Sequence, residues 1–381
     1  MVTRMQGSSN WNAVKKTVCS VCHTPLKTYY DREIKRTRDL SSGSFRIYVE
    51  FEYRRVFCKK CNAVKVETLS WLASNTRYTK RYERHIGRLC RELTVKRVAE
   101  LERLSWYQVR QIEINYMNEL VNHFGKITRL RAIGIDEISI RKGHTYMTCV
   151  SDLDKGRPIW IGGKGRREED LDLFYNTLSD SQKKNISLVV MDMWKPFRKS
   201  TLKHIPHAQI IYDKFHILRH LGDAMDAVRK QEYRRVSEKE RIFIKGQKYT
   251  LLSQKANLDI KGKRALKLLF KANKRIYRAY LLKESFGKLW DYKSLSNAER
   301  FFANWKSQLK WSRLKPFHQF VKMIERHWEC IVSYCNPNNK VSLGLVEGIN
   351  NKVRVIQRRA YGIKDQVYLR LKILTAFLPD L

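Results

Sequence analysis

The chain has 381 residues, with 77 Lys and Arg against 37 Asp and Glu, and so a formal net charge of +40. With 43% hydrophobic and 11% aromatic residues, folded protein carries that charge rather than a disordered basic tail. Such an excess repels itself unless a polyanion neutralises it, which points to nucleic acid and away from small-molecule metabolism.

Residues 1–75 read as a small β-rich module, because RIYVEFEY alternates Ile47, Val49, Phe51 and Tyr53 with polar or outward residues. The module also holds Cys19-x-x-Cys22 and Cys58-x-x-Cys61. Each pair sits in a knuckle-like context, CSVCHT and CKKCNA, where two thiolates of one tight turn can bind a soft tetrahedral ion. Two such knuckles complete a four-cysteine site for one structural Zn²⁺, provided that a hairpin returns the second knuckle to the first. His23 is read as a bystander. Cys90, Cys149, Cys330 and Cys335 are scattered singly, which is not a disulfide framework.

Residues 76–125 change to helical periodicity, and three short helices fit them. Ala99, Leu104 and Val109 fall where a helix-turn-helix needs a small residue and two apolar contacts. Ser105 and Gln108 form a capping box that opens the third helix, whose exposed side chains Tyr107, Gln108, Arg110 and Gln111 are candidates for contact with DNA. Arg103 occupies the turn position where Gly is usual.

Strands follow at RAIGIDEISI, HTYMTCVSDL and PIWIGG, a meander. A helix over 168–179, the strand ISLVVMDM, a helix over 195–204 and the strand QIIYD then alternate, which implies parallel pairing. Residues 214–335 lose all strand character. A last long helix spans about 343–360 and is closed by Gly362.

Three acidic residues stand out in this basic background: Asp136 ends the run IGID, Asp192 ends LVVMD, and Glu347 lies early in the last helix. Carboxylates at adjacent strand ends plus one from a packed helix supply the hard oxygen ligands that a pair of Mg²⁺ or Mn²⁺ ions needs to act on a phosphodiester. Glu347, Asn351, Arg354 and Arg358 are spaced to share one helix face, which makes Asn351, Arg354 and Arg358 candidates for contact with DNA, the two arginines as phosphate clamps, while Leu345, Ile349, Val353, Ile356 and Ala360 cover the other. Asp213 also ends an apolar strand and rivals Asp192. Glu137 should face the opposite side of the sheet from Asp136. Trp194 either stacks on an unpaired base or packs beneath the strand end. GGKGRR, residues 162–167, lacks the pattern of a nucleotide-binding loop.

Taken together, the double C-x-x-C module, the helix-turn-helix, GIDEIS, VVMDMWKPF, IIYDKFHILRH and LVEGINNKVRVIQRRAYGI resemble, in this order, the bacterial insertion-sequence transposases of the DDE type with an N-terminal zinc ribbon, the ISL-three group. The resemblance implies a multi-domain α+β protein: zinc ribbon (1–75), helix-turn-helix (76–125), and an RNase H-like α/β catalytic core (126–215 and 341–381) interrupted by an all-α insertion (216–340). It implies that Asp136, Asp192 and Glu347 are the catalytic triad. It also implies that Arg354 holds a terminal phosphate, and that Asp213 and His216 of YDKFH belong to a further signature of the group.

The expected activity is cleavage at transposon ends and strand transfer into target DNA. The partners are double-stranded DNA, as terminal inverted repeats and target, and a second copy of the chain in a homodimer or larger synaptic complex. No apolar run reaches the roughly 18 residues that cross a bilayer, and the opening MVTRMQGSSNWNAV lacks the apolar stretch of a signal peptide. A cytoplasmic, nucleoid-associated protein is therefore expected. The alternative readings are a zinc-ribbon and helix-turn-helix DNA-binding regulator with an inactive core, and an RNase H-like nuclease that cuts without joining.

Overall fold

The computed structural model describes residues 17–141 and 145–381; the opening segment read for a leader, and His144 of the expected second strand, lie outside them. The chain forms two compact units, one running to Leu120 and including Pro379–Leu381, the other spanning Val121–Leu378.

In the first unit, β1 (Thr17–Val18) and β2 (Pro25–Leu26) form a short antiparallel hairpin. β3 (Asp31–Arg38), β4 (Tyr48–Cys58) and β5 (Ala63–Val66) form an antiparallel sheet in that order. RIYVEFEY contributes most of its residues to the front of β4. Its partner β3, with the sequence DREIKRTR, shows no apolar alternation and is held by side-chain pairing across the ladder. Arg55 donates to Asp31, and Lys35 Nζ lies 4.1 Å from the Tyr53 ring centre.

Three helices follow. Thr79 caps α1 (Lys80–Glu92) and Thr94 caps α2 (Val95–Glu102), each side chain accepting a first-turn N–H. α3 (Trp106–Phe124) is one helix of 19 residues, longer than the short helix expected, because its apolar stripe continues through Tyr116, Met117 and Leu120. Tyr82, Ile86, Val98, Ala99, Val109 and Ile112 form their common core. Gly87 allows the Tyr116 ring onto the backbone of α1: a Cβ there would fall 2.2 Å from the ring.

The second unit is built on β6 (Ala132–Arg141), β7 (Thr145–Asp152) and β8 (Arg157–Gly162), the expected antiparallel meander. α4 (Glu168–Tyr175) and α5 (Asp180–Asn185) replace the single helix expected over 168–179, because Ser179 and Gln182 cap a new start. β9 (Leu188–Met191), α6 (Lys195–His204) and β10 (Gln209–Tyr212) complete the alternation. β9 pairs parallel with β6 and β10 parallel with β9, giving the order β10-β9-β6-β7-β8. Leu188, Val189, Val190 and Met191 are all buried, as a strand covered on both faces requires.

α7 (Lys214–Arg235) then leads into a strand-free stretch: α8 (Glu238–Ile244), α9 (Lys248–Leu252), α10 (Ile260–Ala272), α11 (Lys274–Phe286), α12 (Leu295–Ser307), α13 (Lys315–Arg326) and α14 (Trp328–Val332). Its interior is aromatic, with Phe286 packed edge-on against Trp305 and Phe320, and it is continuous with the core of the sheet. α15 (Gly344–Arg359) matches the expected last long helix within a residue at each end. A further helix, α16 (Gln366–Thr375), follows Gly362, and the sequence reading missed it. Asp365 caps it, and Leu369 and Ile373 join Ile349, Val353, Cys149 and Ile161 in a core on one face of the sheet.

Candidate active site and metal centre

Among the described residues, Cys19, Cys22, Cys58 and Cys61 form a cluster whose four sulfurs all lie within 4.8 Å of one another. Cys22 and Cys58 sulfurs are 3.3 Å apart, those of Cys19 and Cys61 4.0 Å, and all four are free thiols. A tetrahedral ion bound about 2.3 Å from each sulfur needs separations of this size, so the donor set fits zinc. The β1–β2 and β4–β5 hairpins each carry one knuckle. In both, the residue after the second cysteine has a left-handed backbone: His23 at φ 56° and Asn62 at φ 48°. His23 thus turns the chain rather than contributing a ligand to the cluster. The Thr24 hydroxyl beside Cys22 holds that thiol low, at about 6.

The helix-turn-helix has the expected parts. Arg103 ends α2 at φ 52°, Leu104 N–H bonds back to Ala99 O, and Ser105 and Gln108 exchange side-chain-to-backbone hydrogen bonds as a capping box. Gln108 therefore spends its carbonyl oxygen on the cap. Tyr107 is 71% exposed, Arg110 lies 5.2 Å from the Trp106 ring centre, and Gln111 bonds Asn115 one turn on.

The strand register of the second unit assembles the carboxylates. Ile135 pairs with Met191, and Met191 with Tyr212, across three neighbouring parallel strands. The next residues, Asp136, Asp192 and Asp213, therefore lie side by side at one level. β9 and β10 end there, whereas β6 continues to Arg141, so Asp136 lies mid-strand rather than at a strand end. All three line a cleft of about 930 Å³ with Glu347, His216, Arg219, Asn350, Arg354 and Arg358. The oxygens of these carboxylates do not draw within 4.8 Å as the thiols do.

α15 reaches the cleft because Gly134, two residues before Asp136 on the same face of β6, has no side chain. A Cβ there would fall 2.7 Å from Val346 Cγ2 and 2.9 Å from Leu153 Cδ2. One turn beyond Val346, Asn350 Nδ2 donates to Asp136 Oδ2. Val346, Ile349 and Val353 form the fully buried stripe, whereas Leu345, Ile356 and Ala360 are half-buried. This rotation brings Asn350 into the cleft and leaves Asn351 outside its lining, exposed and bonded to Arg354. The sequence reading missed Asn350. The i, i+4 spacing from Val346 to Asn350 against Gly134-x-Asp136 is the signal that marks it.

Burial pushes the Asp136 carboxyl above its usual range, against the opposing pull of Glu137 N–H, His216 and Asn350. Burial also acts on Asp192, but His216 Nδ1, 3.3 Å from its Oδ2, together with the Met193 N–H and the charge of His220, outweighs it and holds that carboxyl low. The same contact raises His216 to about 9. Asp213 is buried and raised to about 6; its Oδ1 accepts the Phe215 N–H, capping α7. Glu137, expected on the far side of the sheet, also lines the cleft, where it pairs with Arg166 at 3.2 Å. Arg166, unremarked in GGKGRR, lies 4.5 Å and 5.2 Å from the Tyr146 and Trp194 ring centres. Trp194 lines a neighbouring cavity and not the carboxylate cleft.

Residues 133–373 match a DDE domain family of ISL3 type described as Transposase, and residues 67–116 match the helix-turn-helix domain of transposase family ISL3. The transposase for insertion sequence element IS1001 of Bordetella parapertussis is 29% identical over 366 residues, 95% of this chain and 89% of its own length. The transposase for insertion sequence element IS1557 of Mycobacterium tuberculosis (strain CDC 1551 / Oshkosh) is 26% identical over 374 residues, 91% of this chain and 83% of its own. No helix among the described residues is long and apolar enough to cross a membrane. A domain match over more than half the chain, preceded by the helix-turn-helix of the same group, places this protein in the ISL3 family of insertion-sequence transposases.

Proposed function

We propose that the protein cuts transposon ends and joins them to target DNA through Asp136, Asp192 and Glu347, carried on an RNase H-like core that the helices after β10 interrupt. The carrying observation is the register that delivers Asp136 and Asp192 from adjacent parallel strands into one cleft with Glu347 of α15. The order β10-β9-β6-β7-β8 supports the RNase H-like assignment. It also favours Asp192 over Asp213, because β9 is the direct neighbour of β6 and Asp213 is committed to capping α7.

Two Mg²⁺ or Mn²⁺ ions, held by these carboxylates, would polarise the scissile phosphate and activate water or a 3′-hydroxyl. The chain's own residues prepare that step. Asn350 fixes the Asp136 carboxylate, and His216 steadies the charge of Asp192. Arg354, Arg358 and Arg219 present cations to the DNA backbone from the walls of the cleft. Tyr107, Arg110 and Gln111 of α3 contact the terminal repeats, and a zinc ion on the four cysteines fixes the fold of the β-rich module. Two copies bring the two ends together.

Purified protein is incubated with labelled terminal-repeat DNA, target plasmid and Mg²⁺, alongside Asp136→Asn, Asp192→Asn, Asp213→Asn and Glu347→Gln. Joined products should fall by at least about a thousandfold in the first, second and fourth variants and survive in Asp213→Asn. Loss in Asp213→Asn with survival in Asp192→Asn reassigns the triad. Specific binding without metal-dependent nicking identifies a regulator, and cutting without joining a nuclease.

A further inference from the structure

Within the helices that follow β10, the consecutive pair α10 and α11 concentrates charge of one sign. From Ile260 to Lys283 the chain has nine Lys and Arg and no Asp or Glu. Helical periodicity sorts these residues from the core: Leu266 and Leu269 are buried, whereas Lys263, Arg264, Lys267 and Lys271 are all exposed and fall within about 100° of one another around α10. Among the described residues, none of these four cations pairs with a carboxylate. Lys274 and Arg278, exposed on α11, lengthen the cationic run beyond the corner between the two helices. The acid at that corner, Glu232, is buried and accepts from Asn273 Nδ2 at 3.0 Å and Arg275 Nη1 at 2.8 Å. It pins the corner and leaves the outer charges unneutralised.

A solvated helix face mixes signs, as α8 does with Glu238, Lys239, Glu240 and Arg241. Lys263, Lys267 and Lys271 instead repel one another at four-residue intervals, which works against the helix until an anion covers the row. Their charges follow one another every 6 Å or so of helix rise (about 1.5 Å per residue), and duplex DNA offers a charge for about every 1.7 Å of its axis. The start of α10 is already satisfied, because Asp259 Oδ1 accepts the Gly262 N–H at 2.7 Å, so the binding element is the flank of the helix and not its end. Arg264 apart, that flank presents lysines, compact charges that meet phosphates whatever the bases, and it holds no Asn or Gln to read adenine. We propose that this flank of α10 is a DNA-binding surface additional to the helix-turn-helix and the carboxylate cleft, and that it holds target duplex by its phosphates without reading sequence. A surface blind to sequence suits target DNA rather than the terminal repeats. That choice of occupant rests on the reading of the protein as one that joins ends to a target.

The test uses the full chain and a labelled duplex of random sequence, with binding read by fluorescence anisotropy over a series of salt concentrations and without added Mg²⁺. A variant combining Lys263→Gln, Arg264→Gln, Lys267→Gln and Lys271→Gln should bind the duplex at least about thirtyfold more weakly at low salt, and the slope of log affinity against log salt should fall by about 3–4. Lys267→Gln alone should lower the slope by about 1. Replacing the three lysines by arginine should retain most of the affinity, because the charges stay in place. The control removes four exposed cations elsewhere in the helical stretch, by Lys239→Gln, Lys245→Gln, Lys288→Gln and Lys293→Gln, and should change the slope by less than about 1. With Mg²⁺, terminal-repeat DNA and target plasmid present, the ratio of joined to nicked product should fall about tenfold or more in the α10 variant. Random-duplex binding that is unchanged in that variant, or that falls equally in the control, overturns the proposal and assigns the face to another polyanion or to net charge alone. An undiminished ratio of joined to nicked product overturns it as well. If the wild-type protein neither nicks nor joins, the reading of the triad has failed, and the metal-free binding comparison decides the proposal by itself.

Discussion

His216 is the residue on which the charge state of the cleft turns. It faces Asp192 by hydrogen bond, and Asp136 and Asp213 by charge, so its imidazolium persists to about 9. A histidine whose folded pKa lies above its unfolded value of about 6.5 contributes stability that is complete below about 6.5 and lost as pH rises through about 9. In the metal-free protein, an NMR titration should therefore place the His216 midpoint near 9. His216→Asn should narrow the stability difference between pH 6 and pH 10, and a midpoint near 6.5 would show that the Asp192 contact is absent in solution. YDKFH marked both Asp213 and His216 as candidates, but their partners were not legible. Asp213 serves α7 as its cap through a contact two residues along the chain, whereas the pairing of His216 with Asp192 depends on strand register that spacing along the chain does not encode.

At the scale of elements, the contact between β6 and α15 decides whether the cleft exists. Gly134 admits Val346, and Val346 sets the helix rotation that brings Asn350 to Asp136. Gly134→Ala inserts a methyl where Val346 and Leu153 already touch, and should cost about 1–3 kcal/mol in denaturant unfolding while sharply reducing joining. Gly348→Ala, with nothing within 4 Å of its Cβ and a place on the same helix, should instead stabilise by up to about 1 kcal/mol. Equal effects from both would contradict the packing described. α6 and α15 were readable because one buried face dictates them, and β9 because it is apolar throughout. β3 and α16 were not: β3 is stabilised by cross-strand charges and rings, and α16 follows a glycine that looked like the end of the helical pattern. Asn351 was expected on the Glu347 face of α15 as a DNA contact, yet Asn350, one position away, is the residue that lines the cleft, because an apolar stripe fixes the helix face only to within about one residue.

Across the whole molecule, the separate assemblies express the same logic: side chains that do chemistry are distant in sequence and are placed by backbone turns or ladders. Two left-handed residues, His23 and Asn62, form the thiol knuckles. Three parallel strands of common register align the aspartates, and the long helical stretch between β10 and α15 returns Glu347 to them. The order of motifs announced the family and with it the preference for Asp192 over Asp213, a proposal that the order of strands supports. The most direct measurement is a crystal structure of the protein soaked in Mn²⁺ and read by anomalous scattering. Manganese peaks about 2.1 Å from oxygens of Asp136, Asp192 and Glu347 are the expected result. Manganese bound by Asp213 in place of Asp192, or no peak in the cleft at saturating metal, would contradict the shared carboxylate site.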